Sequence, residues 1–197
     1  MNSRDVRLAV TAGILTSIFL TPTLYHLGIW SVPRFFALLV GVPALFTFGV
    51  WFGYFLSRWF GFFRQFGKFA SVGFLSASID FGVLNLLSIL SGITRGLIIG
   101  GVNIPGFSLA VLNGYVWNKK WVFPSNDGET LFHDFPKFLA VTIGGLIINS
   151  SIIILTTTVI TSGFGLSEEV WLNVAKVAAN AIVLIWNFLG YKFIVFK

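Results

Sequence analysis

The sequence has no cysteine, and histidine occurs only twice in 197 residues. Without thiols, the chain has no disulfides, no thiolate catalysis and no Cys-ligated zinc, and His26 and His133 lie too far apart in sequence to make a good metal site. We therefore expect no metal and no cofactor. Charge is also scarce, because Asp, Glu, Lys and Arg make up 10% of the residues, against about a quarter in soluble domains. This scarcity excludes a water-soluble globular domain.

Long apolar runs take the place of charge. Hydrophobic residues make up 56% of the chain, and the mean hydropathy is +0.89. Six runs of about twenty residues are each long enough to cross a hydrocarbon core of about 30 Å. They cover residues 8–28, 35–56, 69–90, 97–117, 138–160 and 170–191. Since lipid offers backbone groups no other partner, we predict an all-α integral membrane protein with six transmembrane helices. The first run lacks a small-residue cleavage site and is interpreted as a retained span.

The cations indicate which way the spans face. Only Arg34 and Arg95 fall on one side of the predicted topology. The other side carries Arg4, Arg7, Arg58, Arg64, Lys68, Lys119, Lys120, Lys137, Lys192 and Lys197. The cation-rich side is expected in the cytoplasm, which predicts a multi-pass inner (cytoplasmic) membrane protein with both termini cytoplasmic. The formal net charge of +6 points to anionic lipid as a partner and not to nucleic acid.

An internal repeat divides the chain. Residues 66–72 return as 135–141, a shift of 69, and residues 117–123 return as 190–196, a shift of 73. Because each pair of helices starts and finishes on the same side, the last four helices are predicted to be a parallel duplicated two-helix unit, with a substrate site between the repeats. Residues 1–65 form an N-terminal helix pair with an interfacial linker, and residues 66–197 form a four-helix transmembrane domain.

Several motifs resemble a known family. They are Phe66, Lys68, Phe69, Val72 and Gly73, then Ile79, Asp80 and Phe81, the run from Asn113 to Phe123, and Lys176 with Trp186, Asn187, Phe188 and Phe196. Together they are similar to the GtrA-like family, which is related to the membrane domain of some polyprenyl-phosphate mannose synthases. The resemblance covers about residues 66–197 and implies movement of polyprenyl-phosphate-linked sugars across the membrane. The first two helices lie outside the usual four-span unit, and Tyr191 stands where the first repeat has Asn118.

Two charges lie inside the predicted spans. Asp80 is 12 residues past Lys68, or ~18 Å along a helix, which places it near mid-membrane. Lys176 lies 16 residues before Lys192, or ~24 Å from that end of its helix. Intramembrane charges are costly and mark functional sites by default. The alternatives are a structural role for Asp80 and, for Lys176, a side chain that snorkels outward past Trp171.

Amides supply the remaining predicted site residues. Asn173, Lys176, Asn180 and Asn187 share one face of the last helix, and helix five offers Thr142 and Asn149. The repeat offsets match Asp80 with Asn149 and Lys176 with Asn103. The candidate substrate-binding residues are Asp80, Asn103, Asn149, Lys176, Asn180 and Asn187. Each amide has an alternative role in helix-to-helix hydrogen bonding, and Pro105 suggests either a broken helix near Asn103 or a loop that leads into a helix.

A second candidate set rings the predicted cytoplasmic face. For capture of a lipid headgroup we name Lys68, Asn118, Lys119, Lys120, Lys137 and Lys192. The positive-inside pattern alone also accounts for these cations. In helix two, Gly49 and Gly53 form a G-x-x-x-G motif, which permits close helix packing within the chain or in a homodimer.

The leading functional hypothesis is a translocator that flips a polyprenyl-phosphate-linked monosaccharide for cell-surface polysaccharide or glycan modification. The sequence shows no nucleophile elbow, Walker loop or paired carboxylates, so we do not expect an enzyme. One alternative is a membrane scaffold that docks a cytosolic glycosyltransferase and does not transport. Another is a small ion-coupled or proton-coupled transporter that depends on Asp80 alone.

Overall fold

The computed structural model describes residues 1–61, 63–122, 135–160, 165–190 and 194. Within these residues the chain is helical and contains no strand. The six helices are α1 (Ser3–His26), α2 (Val32–Leu56), α3 (Phe63–Ser91), α4 (Leu97–Trp117), α5 (Phe135–Thr158) and α6 (Glu168–Gly190), and α4 continues into a π-helical turn, Asn118–Val122. The predicted spans agree with these helices to within a few residues at most ends.

Local sequence signals set several helix ends. Asn2 caps α1, since its Oδ1 accepts a hydrogen bond from the backbone N–H of Asp5 at 2.8 Å, as expected of an N-cap. Pro33 lies at the start of α2, where its missing N–H has no intrahelical partner in any case. Gly28 and Gly92 follow α1 and α3 with φ of 69° and 70°, a conformation that glycine adopts without strain. Asn2 and Pro33 thus explain where two helices begin, and Gly28 and Gly92 explain where two helices end.

The helices from α1 to α5 are long and apolar enough to cross a membrane. With the helical content of the described chain, this confirms the predicted all-α, multi-pass integral membrane class. The helix α6 has 23 residues, and its assignment as a sixth span stays a prediction. The membrane side on which each terminus lies, and the division of the chain at residue 65, also stay predictions.

The chain groups into two compact units. Unit 1 falls within residues 1–86 and 109–126, and unit 2 within residues 87–108 and 127–197. The helix α4 therefore contributes to both units.

Glycines allow the helices of unit 1 to pack closely. A Cβ on Gly82 would lie 2.0 Å from the carbonyl oxygen of Phe19, and one on Gly53 would lie 2.5 Å from that of Phe63. Side chains at these positions would force the helices apart. The predicted G-x-x-x-G motif thus serves packing inside the chain through Gly53, whereas a Cβ on Gly49 would meet open space.

In unit 2, glycines bring α5 against both neighbouring helices. A Cβ on Gly100 of α4 would lie 2.4 Å from the Cδ1 of Ile154, and one on Gly144 of α5 would lie 2.7 Å from the indole of Trp186. The ring nitrogen of Trp186 also donates to the carbonyl of Val141 at 2.8 Å. This packing places the polar residues of α4, α5 and α6 within hydrogen-bonding distance of one another.

The predicted repeat is visible in local packing. In the first repeat, a Cβ on Gly114 would lie 3.3 Å from the Oγ of Ser76, and in the second, a Cβ on Gly145 would lie 3.2 Å from the Oδ1 of Asn187. The shifts of 69 and 73 residues match Ser76 with Gly145 and Gly114 with Asn187. At each matched contact a polar side chain therefore faces a glycine, with the two roles exchanged.

The expectation that α4 enters from a loop at Pro105 is wrong. The helix begins at Leu97 and runs through Pro105. Pro105 cannot donate to the carbonyl of Gly101, but the helical path satisfies the remaining backbone groups where lipid cannot. Asn103 therefore lies on a continuous helix.

Candidate functional site

Lys176 forms the centre of a polar cluster in unit 2. Its side chain is 0% exposed, and its ammonium donates to the Oδ1 of Asn103 and, at 3.2 Å, to the Oδ1 of Asn149. A buried cation requires such partners, because removal from water costs several kcal/mol. The amide oxygens replace part of its hydration shell. The snorkelling alternative for Lys176 is therefore wrong.

The asparagines around Lys176 continue as a chain of hydrogen bonds. Asn103 donates through its amide nitrogen to the Oδ1 of Asn149 at 2.7 Å and to Ser150 at 3.2 Å. Asn149 in turn donates to the Oδ1 of Asn180 at 2.8 Å. Asn103 and Asn149 are each 0% exposed. The amide oxygens of α4 and α5 thus accept from the single cation of α6, and amide N–H groups link the three helices. We call this arrangement the Lys176 cluster.

Close helix packing accounts for the position of the Lys176 cluster. Gly100 lies one turn before Asn103 on α4, and its missing side chain leaves room for Ile154 of α5. Ser150 also donates to the carbonyl of Gly100 at 3.5 Å. A larger residue at position 100 would separate α4 from α5 and pull Asn103 away from Asn149.

Two further polar groups lie along α5 and α6. The Oγ1 of Thr142 and the Oδ1 of Asn187 are buried, and neither has a hydrogen-bond partner among the described residues. Asn187 lies two helical turns beyond Asn180 and packs at Gly145, so it is outside the Lys176 cluster. Since a buried unsatisfied oxygen costs about 1–3 kcal/mol, these two groups have unused capacity to bind a ligand hydroxyl.

Asp80 lies in unit 1, on α3, and is 3% exposed. Its side chain is thus buried within unit 1, and its position near mid-membrane stays a prediction. Lys176 belongs to unit 2. Their common feature is the repeat: Asp80 corresponds to Asn149, and Lys176 to Asn103.

The predicted headgroup residues divide into several environments. Lys68 pairs with Asp5 at 2.8 Å, whereas Lys119, Lys120 and Lys137 are exposed. Asn118 begins the π-helical turn that follows α4. Lys192 lies outside the described residues.

Asp5 is a central residue that the sequence reasoning missed. Its Oδ1 accepts from Lys68 and, at 2.8 Å, from the indole N–H of Trp121, and its Oδ2 accepts from the hydroxyl of Tyr54 at 2.5 Å. The carboxylate is 2% exposed and joins α1, α2, α3 and the π-helical turn. The available signal was an acid in the first turn of an apolar helix, in a chain with only seven acids.

An exposed ion pair joins the start of α6 to the loop before α4. Arg95 contacts Glu168 at 3.0 Å, and Thr94 donates to the same carboxylate at 2.8 Å. The predicted topology places these residues together on the external side. Since the two side chains are 69% and 49% exposed, the pair adds little stability.

The part of the chain that contains the four C-terminal helices matches a known family. The family model described as "GtrA/DPMS, transmembrane domain" matches residues 68–196. The chain belongs to the GtrA/DPMS transmembrane-domain family. This confirms the predicted resemblance and relates the chain to membrane proteins of polyprenyl-phosphate sugars. Comparison with curated proteins and with solved structures gives no significant match.

The GtrA/DPMS match includes the whole Lys176 cluster and Asp80 but excludes α1 and α2. The match begins at Lys68, the residue that pairs with Asp5 of α1. The N-terminal helix pair is thus bonded directly to the first matched residue of the GtrA/DPMS domain. This contact supplies a structural role for helices that the family pattern does not contain.

Proposed function

We propose that this protein flips a polyprenyl-phosphate-linked monosaccharide across the inner membrane, for modification of a cell-surface polysaccharide or glycan. The family match supports the substrate class. The observation that carries the proposal is the fully buried Lys176, held by Asn103 and Asn149. A cation inside the membrane domain can neutralise a phosphate that would otherwise enter lipid uncompensated.

The buried position of Lys176 implies a two-state cycle. In the state described here, the ammonium of Lys176 donates its hydrogen bonds to amide oxygens. A bound phosphate must therefore replace these oxygens as the acceptor. We infer a second state in which Asn103 moves away from Lys176 and the phosphate enters. The amides of Asn103, Asn149 and Asn180 then bind sugar hydroxyls, since these groups can both donate and accept.

The remaining predicted residues bind the sugar or gather the headgroup in this proposal. Asp80 and Asn187 bind sugar hydroxyls, and the cytoplasmic residues Lys68, Lys120 and Lys137 gather the anionic headgroup with their neighbours. The chain acts as a transporter and not as an enzyme, with both termini in the cytoplasm. A glycosyltransferase that makes the lipid-linked sugar, anionic lipids and a second copy of the chain are its proposed partners.

A reconstitution assay tests the proposal. Liposomes with the purified protein carry a labelled polyprenyl-phosphate sugar in the inner leaflet, and its arrival outside is measured with an impermeant modifying reagent. Lys176→Met removes the charge and retains the alkyl volume. Arg95→Gln is the control, because it removes an exposed cation outside the site. We expect wild type and Arg95→Gln to transport at similar rates and Lys176→Met to transport at least about tenfold more slowly. Transport by a folded Lys176→Met variant at the wild-type rate would refute the proposal.

A further inference from the structure

A small cavity in unit 1 gathers positive charge at one set of helix ends. It has a volume of about 150 Å³ and is lined by Asn2, Arg4, Asp5, Tyr54, Arg64, Lys68, Lys120 and Trp121. These residues come from the start of α1, the end of α2, the start of α3 and the turn after α4. We call this cavity the cationic pocket.

The charge balance of the cationic pocket favours an anion. Four cations line it against one carboxylate, Asp5, among the described lining residues. Lys68 neutralises Asp5 at 2.8 Å, and Tyr54 and Trp121 satisfy the other acceptor sites of that carboxylate. The charges of Arg4, Arg64 and Lys120 therefore converge on one cavity, and its described lining contains no further acid to balance them. An anion would relieve their mutual repulsion.

The pocket positions these cations in advance. A guanidinium N–H of Arg4 donates to the carbonyl of Lys120 at 2.9 Å. The guanidinium of Arg64 lies 5.1 Å from the centre of the Tyr54 ring, and the ammonium of Lys68 lies 5.5 Å from it. Both distances fall within the range of cation–π contacts. Arg side chains fixed in this way present forked donors suited to phosphate oxygens.

Size and position identify the class of anion. The cavity volume of about 150 Å³ lies below the range of about 300–1,000 Å³ that is typical of pockets for drug-sized ligands. A cavity of this size suits a small anionic group such as a phosphate. The pocket lies at helix ends, and Trp59 and Phe60, which fall in sequence between its lining residues Tyr54 and Arg64, are exposed. Exposed aromatic rings of this kind are typical of the level of lipid headgroups.

We propose that the cationic pocket binds the phosphate of a membrane lipid headgroup, with the N-terminal helix supplying Arg4 and Asp5 to this site. None of its lining residues belongs to the Lys176 cluster. Lys68 and Lys120 are shared with the headgroup residues of the proposed function, but lipid binding at this pocket is measured without transport. It gives α1 a function in ligand binding as well as in packing.

Native mass spectrometry of the purified protein with phosphatidylglycerol, and separately with phosphatidylcholine, tests this inference. The variant Arg4→Gln/Arg64→Gln removes two lining cations that are both exposed. The matched control Arg7→Gln/Arg58→Gln removes two exposed cations that do not line the pocket but lie in the same segments. Wild type should prefer phosphatidylglycerol. The pocket variant should bind it about tenfold more weakly, and the control should bind it like wild type.

Several results would overturn the inference. Equal losses in both double variants would show diffuse surface charge, and no preference of wild type for phosphatidylglycerol would show no anion site. Full displacement of the lipid by millimolar inorganic phosphate would identify free phosphate as the ligand. If thermal unfolding shows that the double variant is misfolded, Lys120→Gln alone, at an exposed lining residue, must weaken binding.

Discussion

Individual side chains with several partners carry most of the polar chemistry in this membrane protein. Asp5 accepts from Lys68, Tyr54 and Trp121, and Lys176 donates to Asn103 and Asn149. In both cases one ionised group joins at least three segments of chain. Replacing such a group leaves either a buried unpaired charge or several partners without a hydrogen bond. The loss of folding free energy is then larger than for a single hydrogen bond.

Replacement of Asp5 should strongly destabilise unit 1. Asp5→Asn leaves the ammonium of Lys68, which is 11% exposed, without its counterion, and breaking a buried pair costs about 3–5 kcal/mol. Thermal unfolding in a mild detergent measures the loss. The double variant Asp5→Asn/Lys68→Met should recover part of it, because no buried charge is then left unpaired. An Asp5→Asn protein as stable as wild type would contradict the role of this ion pair.

The amides of the Lys176 cluster should differ in their contributions. Asn103→Ala removes an acceptor from a buried cation, which is worth about 1.5–3 kcal/mol. Asn180→Ala removes a bond between neutral amides, worth about 0.6 kcal/mol within membranes. Denaturation of the two variants side by side should therefore show the larger loss for Asn103→Ala. Equal losses would mean that Asn103 does not stabilise the charge.

Sequence patterns predicted part of this residue-scale picture. The polar face of α6 pointed to Lys176 and Asn180, and the repeat offsets pointed to Asn103 and Asn149. These four residues do meet. The direct contact of Asn103 with Lys176 did not follow from the offsets, because equivalent positions in two repeats need not touch. Asp5 escaped notice because its partners come from three distant segments, which only the folded chain brings together.

At the scale of helices, glycine positions determine which elements approach closely. The carbonyl of Gly49 on α2 would lie 2.7 Å from a Cβ on Gly67 of α3, whereas a Cβ on Gly73 of the same helix would meet open space. Helix propensity favours alanine over glycine by about 1 kcal/mol at both sites. The contacts at each site therefore decide whether a substitution of glycine by alanine raises or lowers the stability of the protein.

Gly67→Ala should lower stability, and Gly73→Ala should leave it unchanged or raise it slightly. The first substitution inserts a methyl group against backbone atoms that cannot move aside without separating α2 from α3. Melting temperatures of the two variants in the same detergent test this difference. A Gly67→Ala protein that melts at or above the Gly73→Ala protein would show that the helices do not pack as described.

The helices themselves were largely predictable, because length and hydropathy indicate a span and lipid requires a helix. The wrong expectation of a loop at Pro105 in α4 also follows from the requirement for a helix in lipid. Gly100, Gly101 and Pro105 are typical of a loop in water, but in this chain the helix continues through them. Here glycine serves close packing and Pro105 removes only one backbone donor.

For the whole molecule, the asymmetric distribution of cations predicts the membrane orientation. Because the chain contains no cysteine, single introduced cysteines report their side without background. Cysteines replacing Asn2 and Lys119 should react with an impermeant thiol reagent only from the cytoplasmic side, and one replacing Arg95 only from the outside. Labelling of Arg95→Cys from the same side as Lys119→Cys would contradict the predicted topology.

The division of the chain into two compact units was the least predictable feature. The compact units divide within α4, with residues 97–108 in unit 2 and residues 109–117 in unit 1. The family match also begins inside unit 1. Long-range contacts such as Asp5 with Lys68 and Trp121 decide this grouping, and sequence periodicity carries no information about them.

In the proposed function, the ammonium of Lys176 neutralises a lipid-linked phosphate while that phosphate crosses the membrane. The most direct test is the initial rate at which a labelled polyprenyl-phosphate sugar leaves the inner leaflet of liposomes containing wild-type or Lys176→Met protein in equal amounts. Loss of one charge-assisted contact of about 1.5–3 kcal/mol predicts a rate at least about tenfold lower for Lys176→Met. Equal rates from two correctly folded proteins would show that the charge of Lys176 is not needed for movement of the lipid-linked phosphate.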